Sequence, residues 1–594
     1  MKKVIAIVDN QKCFPLKCQH ECMKYDPLNK KEGKLVGFHL SEITGKAMIA
    51  EELVTEMHKI SAKKCPFEAI SIVKIPDELN EEPLQKFGAN AFRLYSLARV
   101  KENTVVGVIG RNGIGKSTAL QILTGNLMPN LGDYKQRGDA ELIIKKYSTT
   151  WLGDYFRRLQ VKKVQLAYKP QRVELLAAAY KGEKVHTLLK KVNERNLLQE
   201  VIEALELQPL LERNVEALSG GELQRVAIAA TLIKDFDVAF LDEPSSFLDI
   251  TFRIKVARLL RGLAKEKAIV IVDHDLATLD YICDEMQVVY GEPAAYGIFS
   301  QSKSVRRGIN EYLDGFLPDE NMRFRSYPIK FNTAPMDRVV GKDVAFEMPL
   351  LEKHFTNFKV ITTPTTIHAG EVITIMGANG LGKSTFLKML AGLEKPDNAE
   401  FAIGEIIFKP QYLDGDIDST VESYLRLRLG GFVDSGWFKT NILEKLNVQK
   451  ILTNDIKKLS GGELQKMHIA ASLNPKVKLI MMDEPSAFID VEDRLNVAGI
   501  IKDFVIINNC SAMIVDHDIQ FIDFLADAML VFEGSPGKEG KVFGPYPKRE
   551  GMNRVLKSLD ITYRRDKETF RPRINKPGSQ LDQEQRAKGE YYYS

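Results

Sequence analysis

Short apolar blocks separated by polar or glycine-rich stretches run along the chain, and one arrangement of them occurs twice. Val105-Val106-Gly107-Val108-Ile109 is apolar over the length of a strand, and so, but for one threonine, is Val372-Ile373-Thr374-Ile375-Met376. Each stops at a glycine-rich loop, after which Ser117-Thr118-Ala119-Leu120-Gln121-Ile122-Leu123, or its counterpart, starts a helix. A continuous apolar strand followed by a loop and a helix predicts α/β architecture with a buried sheet. Near the start, the apolar stretch up to Val8 is broken at Asp9 and lacks a small-residue cleavage site, so it predicts a first strand rather than a signal peptide. Pro76-Asp77-Glu78-Leu79-Asn80-Glu81-Glu82-Pro83 predicts a linker. No apolar run approaches the ~18–20 residues that a membrane span needs, which argues against a membrane protein.

The two glycine loops are Walker A sequences. The first is Gly110-Arg111-Asn112-Gly113-Ile114-Gly115-Lys116-Ser117-Thr118 and the second Gly377-Ala378-Asn379-Gly380-Leu381-Gly382-Lys383-Ser384-Thr385. Each is followed in the same order by Lys-Pro-Gln (Gln171, Gln411), by Leu-Ser-Gly-Gly-Glu-Leu-Gln (from Leu218 and Leu459), by Asp-Glu-Pro-Ser (from Asp242 and Asp483) and by Asp-His-Asp (His274, His517). One P-loop match says only that phosphate is bound; the ordered, duplicated set resembles two ATP-binding cassettes in one polypeptide. The copies are 24 residues apart from Ser219 to Glu243 and from Ser460 to Glu484, but 103 from Lys116 to Ser219 against 77 from Lys383 to Ser460. The first copy therefore carries extra material upstream of its signature loop. A helix–loop–helix near 140–165 with Trp151, Tyr155, Phe156, Arg157 and Arg158 accounts for it, either as a docking element or as a private satellite core.

The motif chemistry assigns candidate roles. Backbone N–H groups of the glycine loops and the helix N-terminus behind them cradle ATP phosphates. Lys116 and Lys383 neutralise phosphate charge; Ser117 and Ser384, with Gln171 and Gln411, are candidate Mg²⁺ ligands, and Asp242 and Asp483 stand beside the ion. Glu243 and Glu484 are candidates to polarise the attacking water, and His274 and His517 to contact the γ-phosphate. Phe87 and Phe92, and Phe358 in the second half, are candidates to face adenine. Cassettes work face to face, so Ser219, Gly220 and Gly221 are expected to complete the site of Lys383, and Ser460, Gly461 and Gly462 that of Lys116. Asp249 and Asp490 are expected to couple the two sites.

Six cysteines are unevenly placed, four of them at positions 13, 18, 22 and 65. Without a signal peptide the expected compartment is the reducing cytoplasm, where clustered cysteines suggest metal rather than disulfides. The net charge is +4, and residues 545–594 hold 12 Lys/Arg against 7 Asp/Glu. A basic segment suits a phosphate backbone, although a solvated surface is the usual outcome.

Several stretches go beyond a generic cassette: Lys64-Cys65-Pro66-Phe67-Glu68-Ala69-Ile70, Gly88-Ala89-Asn90-Ala91-Phe92, Ser304-Val305-Arg306-Arg307-Gly308-Ile309-Asn310, Glu320-Asn321-Met322-Arg323-Phe324-Arg325 and Phe570-Arg571-Pro572-Arg573-Ile574-Asn575-Lys576. In these the chain resembles the ribosome-recycling ATPases of archaea and eukaryotes, subfamily E of the cassette proteins, also called the RNase L inhibitor family. The resemblance covers essentially the whole chain. It implies a ferredoxin-like α+β iron–sulfur domain (1–75), a first cassette (76–299), a hinge (300–345), a second cassette (346–544) and a second hinge with the basic C-terminal segment (545–594). It implies an ATPase, acting as a monomer with an intramolecular cassette pair, that splits ribosomes after termination and stays on the small subunit. Small-subunit rRNA and proteins and a release or rescue factor are the implied partners, and Arg306, Arg307, Arg323 and Arg325 are expected to reach rRNA phosphates. A ribosome-bound hibernation or initiation clamp with little turnover is the alternative; an ATPase subunit of a transporter is disfavoured by the metal domain and the hinges.

The family's N-terminal domain has eight cysteines in two runs, Cys-x4-Cys-x3-Cys-x3-Cys-Pro and Cys-x2-Cys-x2-Cys-x3-Cys-Pro, for two [4Fe–4S] clusters. Here the first run reads Cys13, Cys18, Cys22 and then Asp26-Pro27, and the second keeps only Cys65-Pro66. In two-cluster ferredoxins the fourth cysteine of a run ligates the other cluster. On that pattern Cys13, Cys18, Cys22 and Cys65 are the whole ligand set of one cluster, and the other retains no thiolate. One [4Fe–4S] cluster is the expectation, with Zn²⁺ at the same four cysteines and a metal-free remnant as alternatives. Met57 and Ile60 are expected to plug the vacated second site. Asp273 and Asp516 stand where the family usually has Glu, and Lys466 where it has Arg; the charges are kept, so activity is expected to survive.

Overall fold

The computed structural model describes residues 4–10, 12–75, 82–331, 343–401 and 404–592. Most of the linker Pro76–Pro83 and part of the first hinge thus lie outside the described residues. At the N-terminal end, strand Val4–Val8 pairs antiparallel with Ile70–Lys74, Ala6 opposite Ile72. Between them run the short helices Glu21–Lys24, Pro27–Glu32 and Lys59–Lys64 and a hairpin of His39–Leu40 with Ala47–Met48. This α+β unit has its own core of Ala6, Val8, Phe38, Ile49 and Val54.

Two large α/β sheets follow, built alike. In the first, the parallel strands lie in the order Leu166–Lys169, Val238–Asp242, Ala268–Val272, Val105–Ile109, Glu285–Glu292. In the second the order is Ile406–Lys409, Leu479–Asp483, Ser511–Val515, Val372–Met376, Ala528–Ser535. The central strands are buried throughout, as parallel strands covered on both faces must be. Each sheet is then extended by an antiparallel strand, Tyr296–Phe299 in the first and Glu539–Pro547 in the second. Non-consecutive strands lie side by side in both sheets, so the loops at their C-terminal ends gather along one rim, where such sheets bind ligands.

The extra material of the first sheet forms helices Ala140–Lys146 and Trp151–Gln160. Ile143, Leu152, Tyr155 and Phe156 are buried in the cassette core, and Tyr155 Oη donates to Leu123 O at 2.6 Å. Arg157 and Arg158 stay outside, paired with Asp154 and Glu102. The aromatic half is therefore core, and only the basic half is free to dock.

Helix Val305–Asp314 packs on strand Glu285–Glu292; a Cβ at Gly308 would come 2.7 Å from Met286 Cβ. The C-terminal segment bridges both halves. Helix Lys548–Ser558 lies on strand Ala528–Ser535, while Arg573 binds Asp280 of the first half with Nε–Oδ2 at 2.7 Å and Nη2–Oδ1 at 2.8 Å. Much of the basic C-terminal charge is consumed in this way: Arg571 is buried against Asp280 and Arg565 pairs with Asp523, while Arg306 of the first hinge pairs with Asp566 of the C-terminal segment. Arg325 is a correction to the expected rRNA contacts. It is buried, its guanidinium holding Leu313 O at 2.7 Å and Tyr327 O at 2.9 Å, so it cannot reach an external phosphate. Arg306, Arg307 and Arg323 are about half exposed.

Candidate functional site

Both Walker A loops are strung between a buried strand and a helix, Lys116–Leu123 and Lys383–Leu390. Gly115 and Gly382 cap those helices at φ +91°, a left-handed conformation that favours glycine. A Cβ there would also come within 2.6 Å of the Phe92 ring at Gly115 and 2.9 Å of the Phe358 ring at Gly382. Phe92 and Phe358 thus lie against the Walker A loops. Each has an exposed aromatic neighbour with ring centroids 6.4 Å apart, Phe87 in the first half and Phe355 in the second. Phe355 went unread in the sequence because its spacing, three residues before Phe358, differs from the five between Phe87 and Phe92.

Lys116 Nζ donates to Gly110 O at 2.8 Å and Arg111 O at 2.7 Å; Lys383 Nζ does the same to Gly377 O at 2.9 Å and Ala378 O at 2.8 Å. Burial lowers the pKa of both ammonium groups. Behind them stand Asp242 and Asp483, and Ser384 Oγ donates to Asp483 Oδ2 at 2.6 Å. Glu243 and Glu484 both have φ +48°. A left-handed, non-glycine backbone at the same motif position in both copies is held by its surroundings and belongs with function.

The carboxylates are positioned from two sides. Gln171 Nε2 donates to Glu243 Oε1 at 2.8 Å and Gln411 Nε2 to Glu484 Oε1 at 2.7 Å. His274 Nε2 and His517 Nε2 each lie 3.7 Å from the same glutamate oxygens. Burial raises Glu243, and it pushes Glu484 up to about 7, with Asp483 and Asp516 adding to it. Burial, and then Lys116 or Lys383, holds both histidines well below the usual imidazole range, hence neutral. Both ring nitrogens of His274 and His517 are buried without a hydrogen-bond partner in the protein.

Sequence reasoning missed the layer beneath. Lys169 Nζ, buried, donates to Asp242 O at 2.8 Å and Glu243 O at 3.1 Å; Lys409 Nζ donates to Asp483 O at 3.0 Å. Burial brings both lysines down to about 8. Gln224 and Gln465 donate to Glu243 O at 2.8 Å and Glu484 O at 2.7 Å. These side chains fix the strained carbonyls; the signal was visible as Lys-Pro-Gln and Glu-Leu-Gln in both copies. Asp273 Oδ1 accepts from Ser245 Oγ at 2.6 Å and Asp516 Oδ1 from Ser486 Oγ at 2.7 Å, so the shorter acid still ties the Asp-His-Asp loop to the glutamate turn.

The two halves meet at these loops. Asn379 N donates to Asp249 Oδ2 at 2.7 Å, and Asn112 N to Asp490 Oδ2 at 3.5 Å. A Cβ at Gly221 would stand 3.9 Å from Asn379 Nδ2, which brings the first signature loop to the second Walker A. Ser219 and Ser460 cap the signature helices in capping boxes with Glu222 and Glu463. Phe247 and Phe488, each at φ +62°, touch edge to face with centroids 5.5 Å apart.

In the N-terminal unit, Cys13, Cys18, Cys22 and Cys65 line one cavity with Phe14 and Phe67. Burial pushes the Cys22 thiol up to about 12 and raises Cys13, and the neighbouring cysteines add to both. Among the described residues, no three Cys, His, Asp or Glu side chains close tightly enough to hold one metal ion. The place of the lost ligands is filled differently from expectation. Met57 is 59% exposed and Ile60 51%, so neither is a plug. Asp26 and His58, both fully buried, take that place, His58 Nε2 lying 3.6 Å from Asp26 Oδ2. Thr55 N donates to His58 Nδ1 at 3.0 Å, which leaves the ring proton on Nε2, facing the carboxylate. Asp26 also accepts from Leu28 N at 2.8 Å, Asn29 N at 2.9 Å and Phe38 N at 3.1 Å. A Cβ at Gly37 would lie 2.1 Å from Asp26 Oδ1, so the loop closes over the acid only with glycine. This carboxylate has no capacity left for a second cluster, and the residues there do not fit one.

Comparison with known proteins places these features. The family model described as ABC transporter matches residues 97–246 and 362–487. An ABC transporter ATP-binding protein of Methanocaldococcus jannaschii is 45% identical over 99% of this chain and 97% of its own. Translation initiation factor RLI1 of Chaetomium thermophilum is 39% identical over 99% and 97%. A solved structure titled as a model of ribosome-bound archaeal Pelota and ABCE1 matches with TM-score 0.94 and 45% identity, covering 100% of both chains. Among the described residues no helix is long and apolar enough to cross a membrane.

Proposed function

The chain belongs to subfamily E of the ATP-binding cassette proteins, with translation initiation factor RLI1 and ABCE1, and from that premise we propose that it hydrolyses ATP at two composite sites to split ribosomes after termination. It then stays with the small subunit, in the cytoplasm, and meets a release or rescue factor while the ribosome is whole. The full-length match to an ABCE1 titled as ribosome-bound with Pelota carries this reading.

Site one comprises Lys116, Gln171, Asp242, Glu243 and His274 with Ser460, Gly461 and Gly462. Site two comprises Lys383, Gln411, Asp483, Glu484 and His517 with Ser219, Gly220 and Gly221. In each, the Walker A N–H groups from Asn112 to Thr118, or Asn379 to Thr385, receive the phosphates, and the lysine leaves its loop carbonyls for them. Phe87 and Phe92, or Phe355 and Phe358, face the base. Ser117 and Gln171, or Ser384 and Gln411, with the neighbouring aspartate, would hold Mg²⁺, which neutralises phosphate charge when bound. The glutamate orients water and draws its proton; the glutamine hydrogen bond and the left-handed turn aim it. The neutral histidine donates one hydrogen bond to the γ-phosphate. Asp249 and Asp490 join each glutamate turn to the opposite Walker A, so closure over one nucleotide is felt at the other.

Cys13, Cys18, Cys22 and Cys65 would hold one [4Fe–4S] cluster. Four thiols around a shared cavity support it.

A sucrose gradient of ribosomes with the protein, a release or rescue factor and either ATP or a non-hydrolysable analogue tests the function. Free subunits, with the protein in the small-subunit fraction, are expected. An unchanged ribosome peak would reject splitting and favour the clamp.

A further inference from the structure

The two Walker A loops differ at two side chains: an apolar exchange, Ile114 against Leu381, and a charged one, Arg111 in the first against Ala378 in the second. Arg111 Nε lies 3.6 Å from Glu492 Oε2 on helix Val491–Asn508 of the other cassette. Glu492 is buried and has two more partners: Arg325 Nη1 at 3.6 Å, and Tyr327 Oη, which donates to its Oε1. Arg325 and Tyr327 belong to the first hinge, which rides on the first cassette; Arg325 is fastened there to Leu313 O at the end of helix Val305–Asp314. All three partners thus reach across from the first-cassette side to one carboxylate of the second. The position equivalent to Glu492, two residues after the coupling aspartate, is Thr251 in the first cassette, so site two has no such link. Arg111 is held charged: burial opposes this, and Glu492 and Asp490 outweigh it.

We propose that Glu492 is a positioning residue that clasps Arg111, Arg325 and Tyr327, so that site one closes over ATP only with the first hinge docked. This rests on the two-site ATPase reading. Closing site one removes Glu492 from water. With the hinge in place the carboxylate gains an ion pair with Arg325 and a hydrogen bond from the Tyr327 phenol besides Arg111, and a hydrogen bond to a charged oxygen is a strong one. With the hinge displaced it would be buried against a single, partly exposed arginine, and a poorly compensated buried charge is costly. Movement of the hinge by a bound partner is thereby transmitted to one ATP site and not to the other.

Release of trapped ATP decides this. Glu243→Gln holds ATP at site one and Glu484→Gln at site two, and retained radiolabelled nucleotide is chased with unlabelled ATP. Adding Glu492→Ala to Glu243→Gln should speed release at least tenfold, and Arg111→Ala should speed it by a smaller factor. The two together should be no faster than Glu492→Ala alone, because Arg111 acts through Glu492. In Glu484→Gln, release should change less than twofold. Unchanged release at site one, or equal acceleration at both sites, would overturn the clasp. If Glu492→Ala fails to fold, Arg111→Ala decides alone, with Arg111→Lys expected to restore part of the retention; the Arg111 side chain is 37% exposed and its removal spares the core. A Glu243→Gln parent that retains no ATP would overturn the two-site reading and the clasp with it.

Discussion

Asp249 accepts a hydrogen bond from the backbone N–H of Asn379 at 2.7 Å while its other oxygen accepts from Phe252 N at 3.0 Å, at the start of its own helix. One carboxylate therefore ends the glutamate turn of the first cassette and caps the phosphate loop of the second. Asp249→Ala should leave ATP affinity at each site within about threefold and lower steady-state turnover about tenfold, in the range expected for losing one charge-assisted hydrogen bond. Turnover measured against ATP concentration checks this; a loss confined to KM would mean that Asp249 serves binding rather than coupling.

Glu484 sits at about 7 because burial and two neighbouring aspartates disfavour its charge. Only the ionised form draws a proton from water. With site one silenced by Glu243→Gln, hydrolysis at saturating Mg-ATP should rise about tenfold per pH unit below 7 and level off above it. A rate that is flat from pH 5.5 to 8 would show that Glu484 does not titrate in the reacting complex.

Asp26 and His58 replace ligands by a buried pair. Asp26→Ala strands three backbone N–H groups, and leaving a buried donor unpaired costs about 1–3 kcal/mol. Denaturation followed within residues 1–75 should register a loss of that order, and Asp26→Asn, which keeps the shape and part of the bonding, should lose less. Asp26→Ala within about 1 kcal/mol of the parent would mean that the pair does not hold this unit together.

Anaerobically purified protein should carry about four iron and four acid-labile sulfide per chain, the content of one cubane. Cys65→Ser should remove most of it although Cys65 lies far from the other three in sequence. Stoichiometric zinc without iron would favour the tetrahedral site, and close to eight iron would contradict the ligand assignment.

What the sequence made legible followed from local pattern. The apolar runs before both Walker loops are buried central strands, and the duplicated motifs converge on one rim. What it hid depended on long-range placement. The φ of Glu243 and Glu484, and the lysines and glutamines that hold their carbonyls, are consequences of packing between strands and helices distant in sequence. Met57 and Ile60 read as plugs because apolar residues fill holes; the hole is instead closed by a carboxylate whose three N–H donors come from its own helix and from a loop twelve residues away at Phe38. Arg325 read as a surface charge because its run is basic, yet its hydrogen bonds to helix-end carbonyls and its pairing with Glu492 exist only once the hinge has folded between the cassettes.

The most direct test of ATP-driven ribosome splitting is a gradient profile of wild type beside the Glu243→Gln/Glu484→Gln double variant, both with ATP and with release or rescue factor. The account predicts that wild type converts whole ribosomes to free subunits and that the double variant remains bound to small subunits without releasing for further rounds. Whole ribosomes left intact by wild type, or equal multiple-turnover splitting by both proteins, would contradict it.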